Sequence, residues 1–335
     1  MRRCGRCGAP QARRDPHAVE ILARPAAPWA SGDVVAGAYR IVEACGSGPM
    51  GTTYRARTRD GRAVAVKVLH AALLPSERER GTFVEQAAAL TQKSVRGAAM
   101  PLAVVLEHER VLVVSPWVFG ASLRTLTAAY RAAGRRLARD QVLGVLRGAH
   151  EALRALHAAT THGALYPENV AVTADAVVLL DPGVATLLPS RTWMAQLERA
   201  AGVWPYIAPE VRAGKRNNAG ADLFSLGALA SEMLAGDPSR SAADDFAAAD
   251  LGTALAGALH AAVSAQPARR VTAVPDLLGK LAQIAGEASL PPYAPLPAPS
   301  SVASERVRGV VVPGPGARPP RGRAPRATGD ARKAG

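Results

Sequence analysis

The sequence predicts an α+β protein of two lobes, a strand-rich half followed by a helix-rich half, with disordered termini. Three observations predict it. A glycine-rich hexapeptide, Gly46 to Gly51, separates two runs of strand composition. After Gly120 the pattern changes, and apolar residues recur at spacings of four and three. Both ends are rich in Arg, Pro and Gly and carry no periodicity.

The elements follow in chain order. Residues 1–36 read as a basic arm containing a CxxC. YRIVEACGSGPMGTTYRART, from Tyr39, reads as strand, glycine turn, strand. DGRAVAVKVL begins with an Asp60-Gly61 turn and alternates into a third strand. FVEQAAALTQ has helical composition, and VLVVSPWV is a short apolar run of strand type. In DQVLGVLRGAHEALRALHA the positions Val142, Leu146, Ala149, Leu153 and Leu156 mark one helix face. NVAVTADAVVLLD reads as two short strands around a turn at Thr173–Asp175. LFSLGALASEMLAG is an apolar helix ending at Gly236, and 251–285 adds two helical segments. The expected organisation is a first lobe over 37–119, a second over 120–285, and a Pro/Arg-rich tail over 286–335.

Charge narrows the function classes. The chain has 335 residues and a net charge of +14. Residues 1–24 carry six Arg against two acids, and 301–335 carry eight Lys or Arg against two acids. The ends thus hold +4 and +6, leaving +4 for the middle, so the globular part does not look like a nucleic-acid-binding domain. The basic ends read as solvated arms that can contact acidic partners. No apolar run approaches the ~18–20 residues of a membrane span. Three cysteines make no disulfide framework, so a reducing cytoplasm is the default location.

Three features converge on a phosphate-bearing ligand. GSGPMG fits GxGxxG, but a strand follows it where a dinucleotide site would have a helix. That favours a glycine flap whose backbone N–H groups approach phosphate, with Gly46, Gly48 and Gly51 as its glycines. Lys67, sixteen residues on in VAVK, is a lysine in a buried-strand pattern, in a chain with only five lysines among 41 basic residues. Asn169 and Asp181 flank the two short strands, so hairpin pairing brings an amide oxygen and a carboxylate together at the open end. Oxygen donors there suit Mg²⁺ on a nucleotide. Alone, each reads equally well as a turn residue.

With these motifs in order the chain resembles the eukaryotic-like Ser/Thr protein kinases of bacteria, over roughly 37–285. HGALYPENV, the DPG at Asp181–Gly183, the APE at Ala208–Glu210 and DLFSLG from Asp222 complete the series. The resemblance implies a bilobal protein-kinase-like fold that binds ATP and Mg²⁺. It implies that Lys67 holds the α- and β-phosphates and that Asn169 and Asp181 bind the metal. Ser115 would be the gatekeeper, and Pro116 and Val118 would offer adenine a carbonyl and an N–H. It also implies that Glu210 pairs with Arg270 of QPARRVT and that Asp222 is structural.

The departures from the family pattern bear on chemistry. Ala164 stands where an aspartate accepts the substrate proton. Tyr166 replaces a lysine that steadies the transferring phosphate, and Gly163 an arginine that grips a phosphorylated activation loop. Gln86 stands where a glutamate would pair with Lys67, with Glu85 about 100° away on the helix. Pro182 replaces the central Phe of the DFG motif. The expected function is therefore a catalytically impaired pseudokinase that binds ATP and acts in regulation or scaffolding through protein partners. A weakly active Ser/Thr kinase and an interaction module without nucleotide are the alternatives. Cys4 and Cys7 form half a zinc knuckle; His17 could add a third ligand, and Cys45 is a poor fourth.

Overall fold

The computed structural model describes residues 29–235, 253–271 and 289–291. Cys4, Cys7 and His17, Gly236, and most of both expected terminal arms lie outside the described residues.

The first lobe is a six-stranded antiparallel sheet in the order β1-β2-β3-β4-β6-β5. Its strands are β1 (Val34–Val35), β2 (Tyr39–Ser47), β3 (Gly51–Arg57), β4 (Ala63–Leu69), β5 (Ala103–Glu107) and β6 (Arg110–Pro116). The period-two pattern of β4 buries Val64, Val66 and Val68 on one face, so Ala65 and Lys67 point to the other. Register places Lys67 between Thr53 of β3 and Val113 of β6. Gly51 is required by this pairing, because a Cβ there would sit 1.9 Å from the Val68 carbonyl oxygen.

Helix α1 (Glu77–Thr91) packs on β5 and begins with a capping box. Glu79 N–H donates to Ser76 Oγ at 3.2 Å, and Ser76 N–H donates to the Glu79 carboxylate at 2.9 Å.

The second lobe opens with a three-stranded sheet, β7 (Ala121–Ser122), β8 (Val170–Val172) and β9 (Val177–Leu179). Helices α2 (Leu123–Ala132) and α3 (Arg139–His157) come between β7 and β8; α4 (Ser190–Arg199), α5 (Pro209–Arg212) and α6 (Ala219–Ala235) come after β9. Two further helices span Thr253–Ala262 and Pro267–Val271. The five apolar positions predicted for α3 are all buried against the central core. None of the described helices is long and apolar enough to cross a membrane.

Two boundaries need correction. Residues 29–36 were expected in the basic arm, yet they belong to the sheet. Ile41 N–H donates to Asp33 O at 2.8 Å, and the Trp29 ring packs 5.3 Å from that of Tyr54. The outer face of the sheet is apolar (Ile41, Tyr54, Val66, Leu112), and this segment helps to cover it. Likewise Ser289–Pro291 were expected in a disordered tail. They lie across α3, where Ser289 N–H donates to Asp140 O at 3.1 Å and Pro291 is buried. Gly144 makes this approach feasible, since a Cβ there would meet the Ser289 carbonyl oxygen at 1.7 Å.

Candidate functional site

The site is assembled where the two sheets and the loop before β8 meet. The β2–β3 turn carries the glycine flap. Gly48 N–H donates to Gly51 O at 3.0 Å, and His70 at the end of β4 braces the turn. Its ring Nε2 lies 2.9 Å from Gly48 O, and its N–H donates to Met50 O at 3.0 Å. A Cβ at Gly46 or Gly48 would meet nothing within 4 Å, so open space adjoins both. At the far edge of the cleft, Trp117 N–H is taken by Ala63 O. The buried Ser115 hydroxyl beside it has no partner among the described residues.

Lys67 and Asp181 come from opposite lobes and form an ion pair, both largely buried. Asp181 takes a left-handed φ of +54°, rare for a non-glycine residue, and Gly183 follows at +79°. This kink is fixed from outside, since Gly183 N–H donates to His162 O at 3.1 Å. The β8–β9 hairpin does bring Asn169 to the same end, with Leu180 N–H donating to Asn169 O at 2.9 Å.

The loop from His162 to Asn169 hangs from one carboxylate on α6. Asp222 accepts from the backbone N–H of His162 at 2.7 Å and of Gly163 at 3.0 Å. It also accepts from Asn217 Nδ2 at 3.0 Å and faces His157 Nε2 at 3.0 Å. Burial opposes its ionisation, but these bonds outweigh burial and hold the carboxyl below the usual range. Gly163 has φ +80°, and a Cβ there would approach Thr186 Cγ2 to 2.7 Å, so an arginine at this position would be strained.

Ala164 is buried, and its carbonyl oxygen accepts from Asn169 Nδ2 at 2.9 Å. Tyr166 is buried too, with the Asn169 amide donating to its hydroxyl and Asp181 and Glu168 nearby. Burial first, and these acids second, push the phenol far above its ordinary range, so it stays protonated.

One expectation fails. Gln86 was read as the residue opposite Lys67. Helix α1 turns Phe83, Ala87 and Leu90 inward instead, and both Gln86 and Glu85 are exposed. A helix with three consecutive alanines gives the sequence little phase information, and its inward face here is one residue further on. The partner of Lys67 is Asp181.

Two groups escaped the sequence reading. Arg124 of α2 bonds Glu168 at 2.9 Å and Glu232 at 2.7 Å, and Tyr206 also donates to Glu232. Glu232 carried a readable signal, since an acid inside an apolar helix requires a partner. Thr192 of α4 donates to Leu73 O at 2.8 Å and so ties the activation segment to the first lobe. Glu210 and Arg270 form a bidentate pair with two 2.7 Å bonds, fully buried on the arginine side.

The model for the protein kinase domain matches residues 39–263, and the chain belongs to that family. It is 30% identical over 206 residues to the probable serine/threonine-protein kinase SCO3848 of Streptomyces coelicolor, covering 59% of this chain and 30% of that protein. It is 30% identical over 211 residues to the serine/threonine-protein kinase PknD of Mycobacterium tuberculosis, covering 60% and 30%. The chain therefore spans less than a third of the length of these relatives. The crystal structure of the PknI kinase domain of Mycobacterium tuberculosis superposes with a TM-score of 0.60 at 23% identity, over 77% of this chain and 99% of that one. The fold is the bilobal α+β kinase fold.

Proposed function

We propose that this chain is a kinase-fold regulatory or scaffold domain that binds Mg·ATP and does not transfer its phosphate. The observation that carries the reading is the loop at Ala164. No carboxylate stands there, and the Tyr166 ring and the Asn169 amide pack the ground around it. Glu168, the nearest acid in sequence, is engaged by Arg124. A general base contributes ~10²–10⁴ in rate, and groups that act as one unit fail together.

The residues present fit a nucleotide. Lys67 supplies a compact cation beside Asp181, and Asp181 and Asn169 supply the carboxylate and the amide oxygen that Mg²⁺ takes. In the reading, the ion offsets phosphate charge when bound. Gly46 and Gly48 leave space for phosphate, and the unpartnered Ser115 hydroxyl marks the inner wall beside Pro116 and Val118. Supply of ATP argues for a cytoplasmic setting, and the work of such a domain is done on protein partners, with the basic ends meeting acidic ones. Zinc at Cys4 and Cys7 stays a secondary proposal.

A weakly active Ser/Thr kinase is the second reading, favoured by the retained Lys67–Asp181 pair and the kinked Asp181 backbone. The test is a melt with and without Mg·ATP beside a radiolabel transfer assay. Wild type should gain ~2.7 kcal/mol at a hundred times Kd, and Lys67→Ala or Asp181→Asn should lose most of it. Label should stay at background in wild type and in Ala164→Asp. Transfer by wild type that vanishes in Lys67→Ala would install the second reading. No melting shift at millimolar Mg·ATP would leave an interaction module without nucleotide.

A further inference from the structure

Gly163 leaves the activation segment without the arginine that would grip a phosphate, yet the end of that segment is held in place. Residues Ala201–Tyr206 form a 3-10 turn ahead of the Ala208–Glu210 motif. Arg124 reaches this turn from α2, its guanidinium 5.9 Å from the Tyr206 ring centroid and its Nη2 3.5 Å from Gly202 O. The same guanidinium donates to Glu168 and to Glu232. The second oxygen of Glu232 accepts the Tyr206 hydroxyl.

Glu232 decides what this cluster is. Its side chain is 0% exposed, whereas Arg124 is 30% exposed. A carboxylate buried among the apolar residues of α6 persists as an ion only with a paired, hydrogen-bonded cation. Arg124 supplies the charge, and Tyr206 satisfies the remaining oxygen. Burial works against the charge on Arg124, but Tyr206, Glu168 and Glu232 together more than compensate. One guanidinium thus joins α2, the turn at Glu168, the Ala201–Tyr206 turn and α6.

We propose that Arg124 and Glu232 form a phosphate-independent clamp that keeps the end of the activation segment ordered in the unmodified protein. Arg124 is a positioning residue in this scheme. Two carboxylates already in the chain hold it, and it in turn holds Tyr206, so no added phosphate is needed. The clamp does not depend on whether the domain binds nucleotide or transfers phosphate.

Hydrogen exchange on phosphatase-treated protein tests it. Val203 and Ile207 donate to Ala200 O and Trp204 O at 3.0 and 3.1 Å, so their amides report on the turn. Wild type should protect both without phosphate. Arg124→Gln should raise exchange at 200–207 by about tenfold to a hundredfold, as expected when a buried carboxylate loses its partner, with the β3–β4 amides unchanged. Glu232→Gln should behave similarly. Arg124→Lys keeps the charge without the planar fork and should fall between. An unprotected turn in phosphatase-treated wild type would overturn the clamp, as would unchanged exchange in Arg124→Gln or an equal rise across the sheet. If Arg124→Gln does not fold, Arg124→Lys decides: a rise confined to 200–207 supports the clamp, and no local rise overturns it.

Discussion

Removing Arg270 is the sharpest test of how the second lobe is tied together. The guanidinium makes two 2.7 Å bonds to Glu210, one of 2.7 Å to Ser264 O and one of 3.2 Å to Gly220 O. It also stacks 5.2 Å from the Phe224 ring. Arg270→Ala strips all of these and leaves Glu210, 8% exposed, without a cation. Breaking a buried pair in this way costs ~3–5 kcal/mol. For a domain of this size each kcal/mol moves Tm by ~2–4 °C, so the expected loss is about 6–20 °C. The pH dependence sharpens the test. In wild type, burial opposes the ionisation of Glu210, but the Arg270 bonds outweigh it and hold the carboxyl below its ordinary value. The stability this gives is present above the unfolded value and is lost as pH falls through the lowered folded value. In Arg270→Ala, burial acts alone and raises the carboxyl, so the penalty is largest at neutral pH and eases as the group takes up a proton. The Tm gap between wild type and variant, read by calorimetry from pH 8 to pH 5, should therefore narrow. A shift under ~2 °C, or a gap that widens on acidification, would refute the reasoning.

Asp222→Asn should lower Tm at neutral pH and flatten the acid limb of the stability curve. Its depressed carboxyl stabilises the fold above the unfolded value of ~3.9 and stops doing so below the folded one; an unchanged limb on a melt series would count against it. Phosphorylation at Thr192 should cost the donor to Leu73 O and should not order α4 further, since Gly163 offers no cation. Hydrogen exchange showing stronger protection of 190–199 would contradict this. Gly144→Ala should release Ser289–Pro291 from α3 while the helix itself gains ~1 kcal/mol of propensity. The amide of Ser289 should then exchange freely, and retained protection would sink the packing argument.

Much of the fold was legible because local chemistry and topology agree. The glycine turn and the Asp60-Gly61 turn set three strands in register, and the four-three spacing in α3 gave its buried face directly. Asn169 and Asp181 could be brought together because only a short hairpin separates them. Other features lacked a local signal. Val34–Val35 is a two-residue strand inside an Arg-, Pro- and Ala-rich stretch, so composition hid it. The alanines of α1 left its rotation undefined, and Gln86 was assigned to a face that turns outward. Arg124 was one arginine among many, and its meaning comes from Glu232, which lies 108 residues away in the chain. The packing of Ser289 depends on the absence of a side chain at Gly144, which no neighbouring residue announces.

The suspension of the His162–Asn169 loop has a consequence for how such a domain can change. What holds the loop is Asp222, through main-chain N–H groups that every residue except proline carries. What a transferase would need there are side chains at 163, 164 and 166. The scaffold and the reagents are thus written in different residues, and the first is nearly blind to the second. A lineage can trade its reagents one at a time without disturbing the geometry that presented them. Neutral drift at these positions leaves behind a surface whose outline a partner still recognises.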